Sequence, residues 1–220
     1  MIGYRIVSLL IGYLFGLFQT AFFIGKAHNI DIREVGSGNA GTTNTLRTFG
    51  LKAGLLTLLM DVVKCFAAIC LVRFMLRGRV GELLPLMEMY AGAGCILGHN
   101  FPFYMNFRGG KGIAATLGMF LALDWRIGVS CFALFLVILF TTHYVSLGSI
   151  CAYLTAFILV VVLGALGSYG MDLAHTIEMD AVMGLLALMT ILKHKGNIKR
   201  LLNGTERKTY LTGRNKTRES

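Results

Sequence analysis

Proline is nearly absent from this chain, 2 residues in 220, and no Pro-, Gly- or Ser-rich stretch separates one part from another. That leaves no linker and no evident second, soluble domain. Charge is also scarce. Only 15% of residues are charged and 55% are apolar, more than an ordinary soluble domain carries. Five cysteines (Cys65, Cys70, Cys95, Cys131, Cys151) form no C-x-x-C pair and all sit in apolar segments, which favours buried small hydrophobes over a metal or redox site. No internal repeat appears. The apolar run Ile6 to Ile24 is too long for a signal h-region, and no small-residue cleavage site follows it, so it reads as a first membrane span.

What the chain has in quantity is apolar runs of membrane-spanning length. Spans are expected at 5–25, 53–76, 83–99, 110–123, 127–142, 145–166 and 177–193. In lipid every backbone polar group needs an internal partner, so the expected fold is an all-α integral membrane bundle of about seven transmembrane helices. Residues 1–204 read as one polytopic domain and 205–220 as a polar, basic, partly disordered cytoplasmic tail. Seven spans put the termini on opposite sides. The loops at 26–52, 100–111, 143–144 and 193–220 then share one face and hold 15 Lys and Arg, against five on the other. The positive-inside rule makes the richer face cytoplasmic, with the N-terminus outside and the C-terminus inside. The Arg73, Arg77 and Arg79 cluster runs against this locally.

Three polar clusters fall on that cytoplasmic face. The first is Gly36-Ser37-Gly38-Asn39-Ala40-Gly41-Thr42-Thr43-Asn44-Thr45-Leu46-Arg47. It contains G-x-G-x-x-G, but a dinucleotide site would need a strand before it and a βαβ unit around it, and its neighbours are membrane helices. It reads instead as a turn entering a helix near Thr42 or Thr43, with Thr43 and Arg47 on one face. Taken alone, a polar juxtamembrane loop explains it as well as a binding site does. The second cluster is Gly98-His99-Asn100-Phe101-Pro102 followed by Phe107-Arg108-Gly109-Gly110-Lys111-Gly112. The span after Lys111 is short, about 18 Å against a bilayer core of about 30 Å, so this turn should start a partial helix below the membrane surface. Glycines around one lysine at a helix N-terminus suit a phosphate. A merely basic loop would explain the lysine but not the glycines. The third cluster is His194-Lys195-Gly196-Asn197-Ile198-Lys199-Arg200, running on to Glu206, with His194, Asn197 and Arg200 spaced to share a helix face. A basic amphipathic helix on lipid accounts for Lys195 and Lys199 but less well for His194 and Asn197.

Two other patterns carry less. His175 and Asp180 fit H-x-x-x-x-D, but the topology puts them on the far side. Asp61 and Lys64, inside a span, would each cost about 2.5–3.5 kcal/mol alone and read as a structural pair.

Together the three clusters resemble the bacterial acyl-phosphate:glycerol-3-phosphate acyltransferases of the PlsY type, from about Gly25 to Glu206, and Val145-Ser146-Leu147-Gly148-Ser149-Ile150 resembles a further signature of that family. The chain departs from the family pattern at Leu17-Phe18-Gln19, where Ser-x-Pro is usual, and at Thr42, Cys65 and Ala115. The resemblance implies transfer of a fatty acyl group from acyl phosphate to the sn-1 hydroxyl of glycerol 3-phosphate, giving lysophosphatidic acid, the first acylation of phospholipid synthesis, at the cytoplasmic face of a bacterial cell membrane. It implies catalytic roles for Lys111, Arg47 and Ser37. It implies substrate binding by Gly38, Asn39, Thr43, Asn44, His99, Gly109, Gly110, Gly112, Ser149, His194, Asn197, Arg200 and Glu206.

Two phosphate-bearing substrates need several cations and N–H donors, and Arg47, Lys111, His194 and Arg200 are the candidates. Acyl phosphate has a good leaving group, so no protein nucleophile is required, and none of the Ser or Cys residues sits in a nucleophile–base pattern. The glycerol proton is expected to go to the donor phosphate or to His99. No metal-ligand cluster is seen and no cofactor is expected. Membrane lipid is an expected partner and nucleic acid is not. The sequence does not give acyl-chain preference or oligomeric state. The rival class is a membrane transporter for a phosphate-bearing anion, which suits buried cations but would usually bring internal repeats. A lipid-binding scaffold is weaker still, since it leaves the Gly-Lys turn unexplained.

Overall fold

The computed structural model describes residues 1–210, and among these there is no β-strand. Residues 211–220 of the expected basic tail lie outside the described residues. Ten α-helices follow in order: α1 (Ile2–Gly16), α2 (Thr20–Ala27), α3 (Thr42–Phe49), α4 (Leu51–Leu76), α5 (Leu84–Asn100), α6 (Ile113–Leu123), α7 (Trp125–Thr142), α8 (Val145–Ala165), α9 (Leu173–Lys193) and α10 (Lys195–Leu202). Five stretches are long and apolar enough to cross a membrane: 2–27, 51–76, 125–142, 145–165 and 173–193.

The helices carry apolar residues on both faces. Inward, Ile69 and Val72 of α4, Leu86 and Ile96 of α5, Met119 and Phe120 of α6, and Met179 and Met183 of α9 form one buried core. Outward, Leu59 and Phe74 of α4, Val137 and Phe140 of α7, and Leu185 and Leu192 of α9 are exposed. Apolar surface on this scale would be a liability in water and is natural against lipid.

A close backbone approach joins α1 to α5. A Cβ on Gly12 would lie 1.9 Å from the Ala91 carbonyl oxygen, and one on Gly16 would lie 2.2 Å from that of Cys95. The contact is reciprocal, with Gly94 against the Leu9 carbonyl and Gly98 against that of Tyr13. Two G-x-x-x-G faces thus bring backbone onto backbone, as in membrane helix pairs.

The first span is not the continuous helix expected over 5–25. It breaks at 17–19, and the break is hydrogen-bonded from the interior. Gln19 Nε2 donates to the Gly16 and His99 carbonyls (3.1 and 2.9 Å), and Lys64 Nζ donates to the Phe18 carbonyl at 2.7 Å. The family's Ser-x-Pro is absent here, and Gln19 does the work of a break residue with its amide.

Asp61 and Lys64 pair at 2.7 Å as expected, both buried, and His99 completes the group. Lys64 Nζ donates to His99 Nδ1 at 2.8 Å. By contrast, His175 does not face Asp180. Its Nδ1 lies 2.6 Å from Asp172, the N-cap of α9, so the H-x-x-x-x-D pattern is not a dyad.

Candidate active site

Helix ends gather the three polar clusters at one end of the bundle. α5 stops at Pro102, which has no N–H to continue it. The chain then reverses through Asn106 (φ 53°) and Phe107 (φ 57°), both left-handed. It returns as Gly109 and Gly110, whose N–H groups donate to the Asn100 and His99 carbonyls at 3.2 and 3.1 Å. A Cβ on Gly110 would sit 2.0 Å from His99 Nε2 and 2.8 Å from the Ala40 carbonyl. Glycine is therefore required where this turn is wedged between the end of α5 and the Gly36–Gly41 loop. Gly112 (φ 79°) caps α6, and Lys111 is left between the two glycines.

Lys111 Nζ donates to Asn197 Oδ1, which joins the second cluster to the third. Asn197 Nδ2 donates to Glu206 Oε1 at 2.6 Å. Ser146 Oγ donates to the same oxygen at 2.8 Å, and Arg200 Nε reaches Glu206 Oε2 at 2.7 Å. The first cluster enters through α3, where Arg47 Nη2 donates to Thr209 Oγ1 (2.6 Å) and to the Arg207 carbonyl (3.2 Å).

Residues 205–209, at the start of the tail expected to be partly disordered, thus pack against the same cluster. Thr209 is buried and its N–H donates to the carbonyl of His143, the left-handed residue ending α7, at 2.9 Å. Composition marked this stretch as a tail because it is polar, and it is polar because it hydrogen-bonds loops and Arg47.

Burial shapes the charges. The Lys111 ammonium is pushed down to about 8 by burial, with Arg200, Lys193 and Arg47 adding to the effect and Glu206 opposing it. Burial alone would raise Glu206, but hydrogen bonds from Asn197, Ser146 and Arg200 hold it below the ordinary glutamate value. Arg200, Lys193 and Arg47 all act on Lys111 against one opposing carboxylate, Glu206, an excess of positive charge that favours a bound anion.

His194 was expected among the site's cations and N–H donors, and its surroundings disfavour the cation. Burial first, and then Lys111, push it down to about 4, so the ring is neutral at pH 7. Nδ1 lies 2.9 Å from the Thr190 carbonyl, an acceptor only, so Nδ1 carries the hydrogen and Nε2 keeps a lone pair. The residue can accept a hydrogen bond from a hydroxyl.

Other expected site residues also sit differently. His99 is 2% exposed and locked onto Lys64 and Asp61. Its Nδ1 accepts from the Lys64 ammonium, so a neutral ring holds its hydrogen on Nε2 and has no lone pair for a substrate proton. It supports the Gly110 turn. Asn44 accepts from the Ser37 N–H (2.9 Å) and donates to the Ile32 and Val35 carbonyls (2.9 and 3.0 Å), so its amide shapes the loop from beneath. A Cβ on Gly36 (φ 61°) would lie 2.2 Å from Asn44 Oδ1. Ser149 gives its proton to the Val145 carbonyl in its own helix at 2.8 Å, while Ser146, overlooked in the sequence, reaches the site. Arg200 is held by Glu206. Ser37 and Gly38 are exposed, and Asn39 and Thr43 are half-buried around the same loop.

Lys193 was also missed, because it ends an apolar helix. Its Nζ donates to the Asn100 carbonyl at 3.2 Å and lies 4.1 Å from the Phe101 ring centre. Adjacency to His194 was the signal that would have found it.

The family model described as glycerol-3-phosphate acyltransferase matches residues 6–204. A glycerol-3-phosphate acyltransferase of Thermosipho melanesiensis is 39% identical over 208 residues, covering 94% of each chain. One from Alkaliphilus metalliredigens is 41% identical, covering 93% of this chain and 95% of its own. Two crystal forms of PlsY, an integral membrane glycerol 3-phosphate acyltransferase, superpose on this fold. The glycerol 3-phosphate form has a TM-score of 0.79 at 30% identity, over 94% of this chain and 96% of that one. The lysophosphatidic acid form has a TM-score of 0.76 at 29% identity, with the same coverage.

Proposed function

Because the chain belongs to the glycerol-3-phosphate acyltransferase family, we propose that its donor is acyl phosphate and that it acylates the sn-1 hydroxyl of glycerol 3-phosphate. The products are lysophosphatidic acid and inorganic phosphate. The observation that carries this reading is the chain of contacts from Lys111 through Asn197 to Glu206, with Arg47 and Lys193 alongside. It is a cationic, partly buried cluster in which no Ser or Cys pairs with a base.

The glycerol hydroxyl attacks the acyl carbonyl carbon, and the bond from that carbon to the phosphate oxygen breaks. Charge grows on the departing phosphate, where Lys111 and Arg47 stabilise it. Ser37, Gly38, Asn39 and Thr43 line the donor phosphate. The glycines at 109, 110 and 112 let backbone approach it closely, and Asn44 keeps the Ser37 N–H in place. Asn197, Glu206 and Arg200 set the position of Lys111. His194 accepts a hydrogen bond from the attacking hydroxyl through Nε2. A ring held near 4 is a weak base, so the proton finishes on the phosphate that leaves. Ser149 stays a backbone-facing residue of the acceptor side.

The protein is an integral membrane protein, and we take residues 1–204 as one acyltransferase domain closed by the residues that follow. We further propose seven crossings in a bacterial cytoplasmic membrane, with α5 and the short α6 completing the five long spans. The N-terminus is outside and the site faces the cytoplasm, where it meets the water-soluble acceptor, glycerol 3-phosphate. Labelled glycerol 3-phosphate offered in turn with acyl phosphate, acyl-CoA and acyl carrier protein tests the donor. Product with acyl phosphate alone, without sealed vesicles, is expected. Product with acyl-CoA alone would overturn the donor assignment, and a requirement for two compartments would return the transporter reading.

A further inference from the structure

A polar cavity lies at the opposite end of the bundle from Lys111. It is formed where α4 and α6 end and α5 and α7 begin, has a volume of about 540 Å³, and is lined in part by Arg73, Glu88, Asp124, Trp125, Arg126 and Tyr169. This is within the roughly 300–1,000 Å³ typical of small-ligand sites. The acyl-transfer chemistry uses none of these residues.

Its charges are paired and sum to zero. Arg73 donates to both Glu88 oxygens (2.7 and 2.8 Å) and to the Ala122 carbonyl (2.5 Å). Arg126 donates to both Asp124 oxygens (2.9 and 2.7 Å). Nη1 of each guanidinium is left over by these bonds. Arg77 and Arg79 are not among the lining residues. The hydroxyl of the lining residue Tyr169, and Asp180 Oδ1, are buried without hydrogen-bond partners among the described residues. The two flank one small residue, since a Cβ on Gly164 would lie 3.7 Å from Asp180 Oδ1 and 3.9 Å from Tyr169 Cδ2. Buried groups left so are costly and mark a place for a partner.

The rim is membrane-like. Trp125 is 66% exposed at the start of a span, where amphipathic rings sit at the lipid boundary. Leu166 and Leu173, on either side of the α8–α9 turn that carries Tyr169, are also exposed and offer an acyl chain a wall. Ion pairs that bring both signs to the wall with no net charge, and leave Nη1 of each arginine over, match a headgroup that itself carries both. We infer that this cavity binds the headgroup of a zwitterionic aminophospholipid, its phosphate on Arg126, Arg73 and the Tyr169 hydroxyl and its primary ammonium on the carboxylates. An anionic glycerol headgroup leaves those carboxylates unanswered, and a trimethylammonium cannot donate to them.

The test uses the whole protein in nanodiscs holding equal parts phosphatidylethanolamine, phosphatidylglycerol and phosphatidylcholine, released and read by native mass spectrometry. One retained phosphatidylethanolamine is expected, about tenfold over either competitor, the scale of one charge-assisted contact. Arg126→Gln, a surface change, and Tyr169→Phe, which removes only the hydroxyl, should each reduce that preference severalfold while acyl transfer continues. Indifferent retention of the three lipids, or unchanged retention in both variants, would overturn the assignment. Equal competition by soluble glycerophosphoethanolamine would overturn the lipid as its source, since acyl-chain contacts would then contribute nothing.

Discussion

Lys111 is where a single residue's environment sets a measurable curve. Its ammonium is held down to about 8, so it loses its proton in a range where an ordinary lysine keeps it. kcat/KM, which reports the free enzyme, should fall as pH rises through about 8. The same shift acts on stability with the opposite sign. Between about 8 and the ordinary lysine value the unfolded chain binds more protons than the folded one, so the Lys111 contribution to stability of the ligand-free protein rises with pH there. An activity limb near the ordinary lysine value, by pH–rate profile, would remove Lys111 from the phosphate. Lys111→Ala should lower kcat by about 10²–10³, the loss of one strong electrostatic donor, in protein that still folds by thermal melt. Residue identities at this site were legible because phosphate chemistry narrows the choice to Gly, Lys, Arg, Ser and Asn in short clusters. Charge states were not. Whether His194 is a cation depends on what buries it and on the Thr190 carbonyl one turn back, and no spacing rule contains that.

Helices and their joints fail differently from single side chains. The Asp61–Lys64–His99 group lies under the Gly110 turn and beside the 17–19 break, so it links α4, α5 and the first span. Lys64→Met leaves Asp61 as an unpaired buried charge and should cost about 3–5 kcal/mol. The double replacement Asp61→Leu with Lys64→Met should recover most of that in a double-mutant cycle of unfolding free energies. Additive costs would show that the two do not act as a pair. At the α1–α5 contact, Gly98→Val must push the backbones apart and should cost about 1–3 kcal/mol, read as a lower melting temperature in detergent. Long apolar periods made most helices legible. The twin G-x-x-x-G faces at Gly12/Gly16 and Gly94/Gly98 were legible too and went unread, because a hydropathy average does not record how glycines are spaced. The break at Gln19 was not legible, since its partners are the Gly16 and His99 carbonyls, the second of them 80 positions away.

For the whole molecule, the convergence of three distant clusters was readable from simple counting of loops on each side of a membrane. The part that was not is the return of residues 205–209 across the α7–α8 turn to Arg47, which polar composition alone presents as a tail. The proposed topology makes a direct forecast. In right-side-out cells, a single cysteine placed at Tyr104 should resist a membrane-impermeant maleimide until the membrane is opened, whereas one at Arg79 should react at once. The reverse pattern would invert the molecule and put the site outside.

The glycine contact between α1 and α5 also bears on how the protein is made. The two helices are not consecutive, because α4 stands between them. A chain delivered to the membrane in order presents α1 first, with the grooved face of Gly12 and Gly16 turned to lipid until α5 has been synthesised. That helix is therefore a waiting partner during biogenesis. Lesions at its glycines should appear as protein cleared by membrane proteases before assembly, more than as slow enzyme.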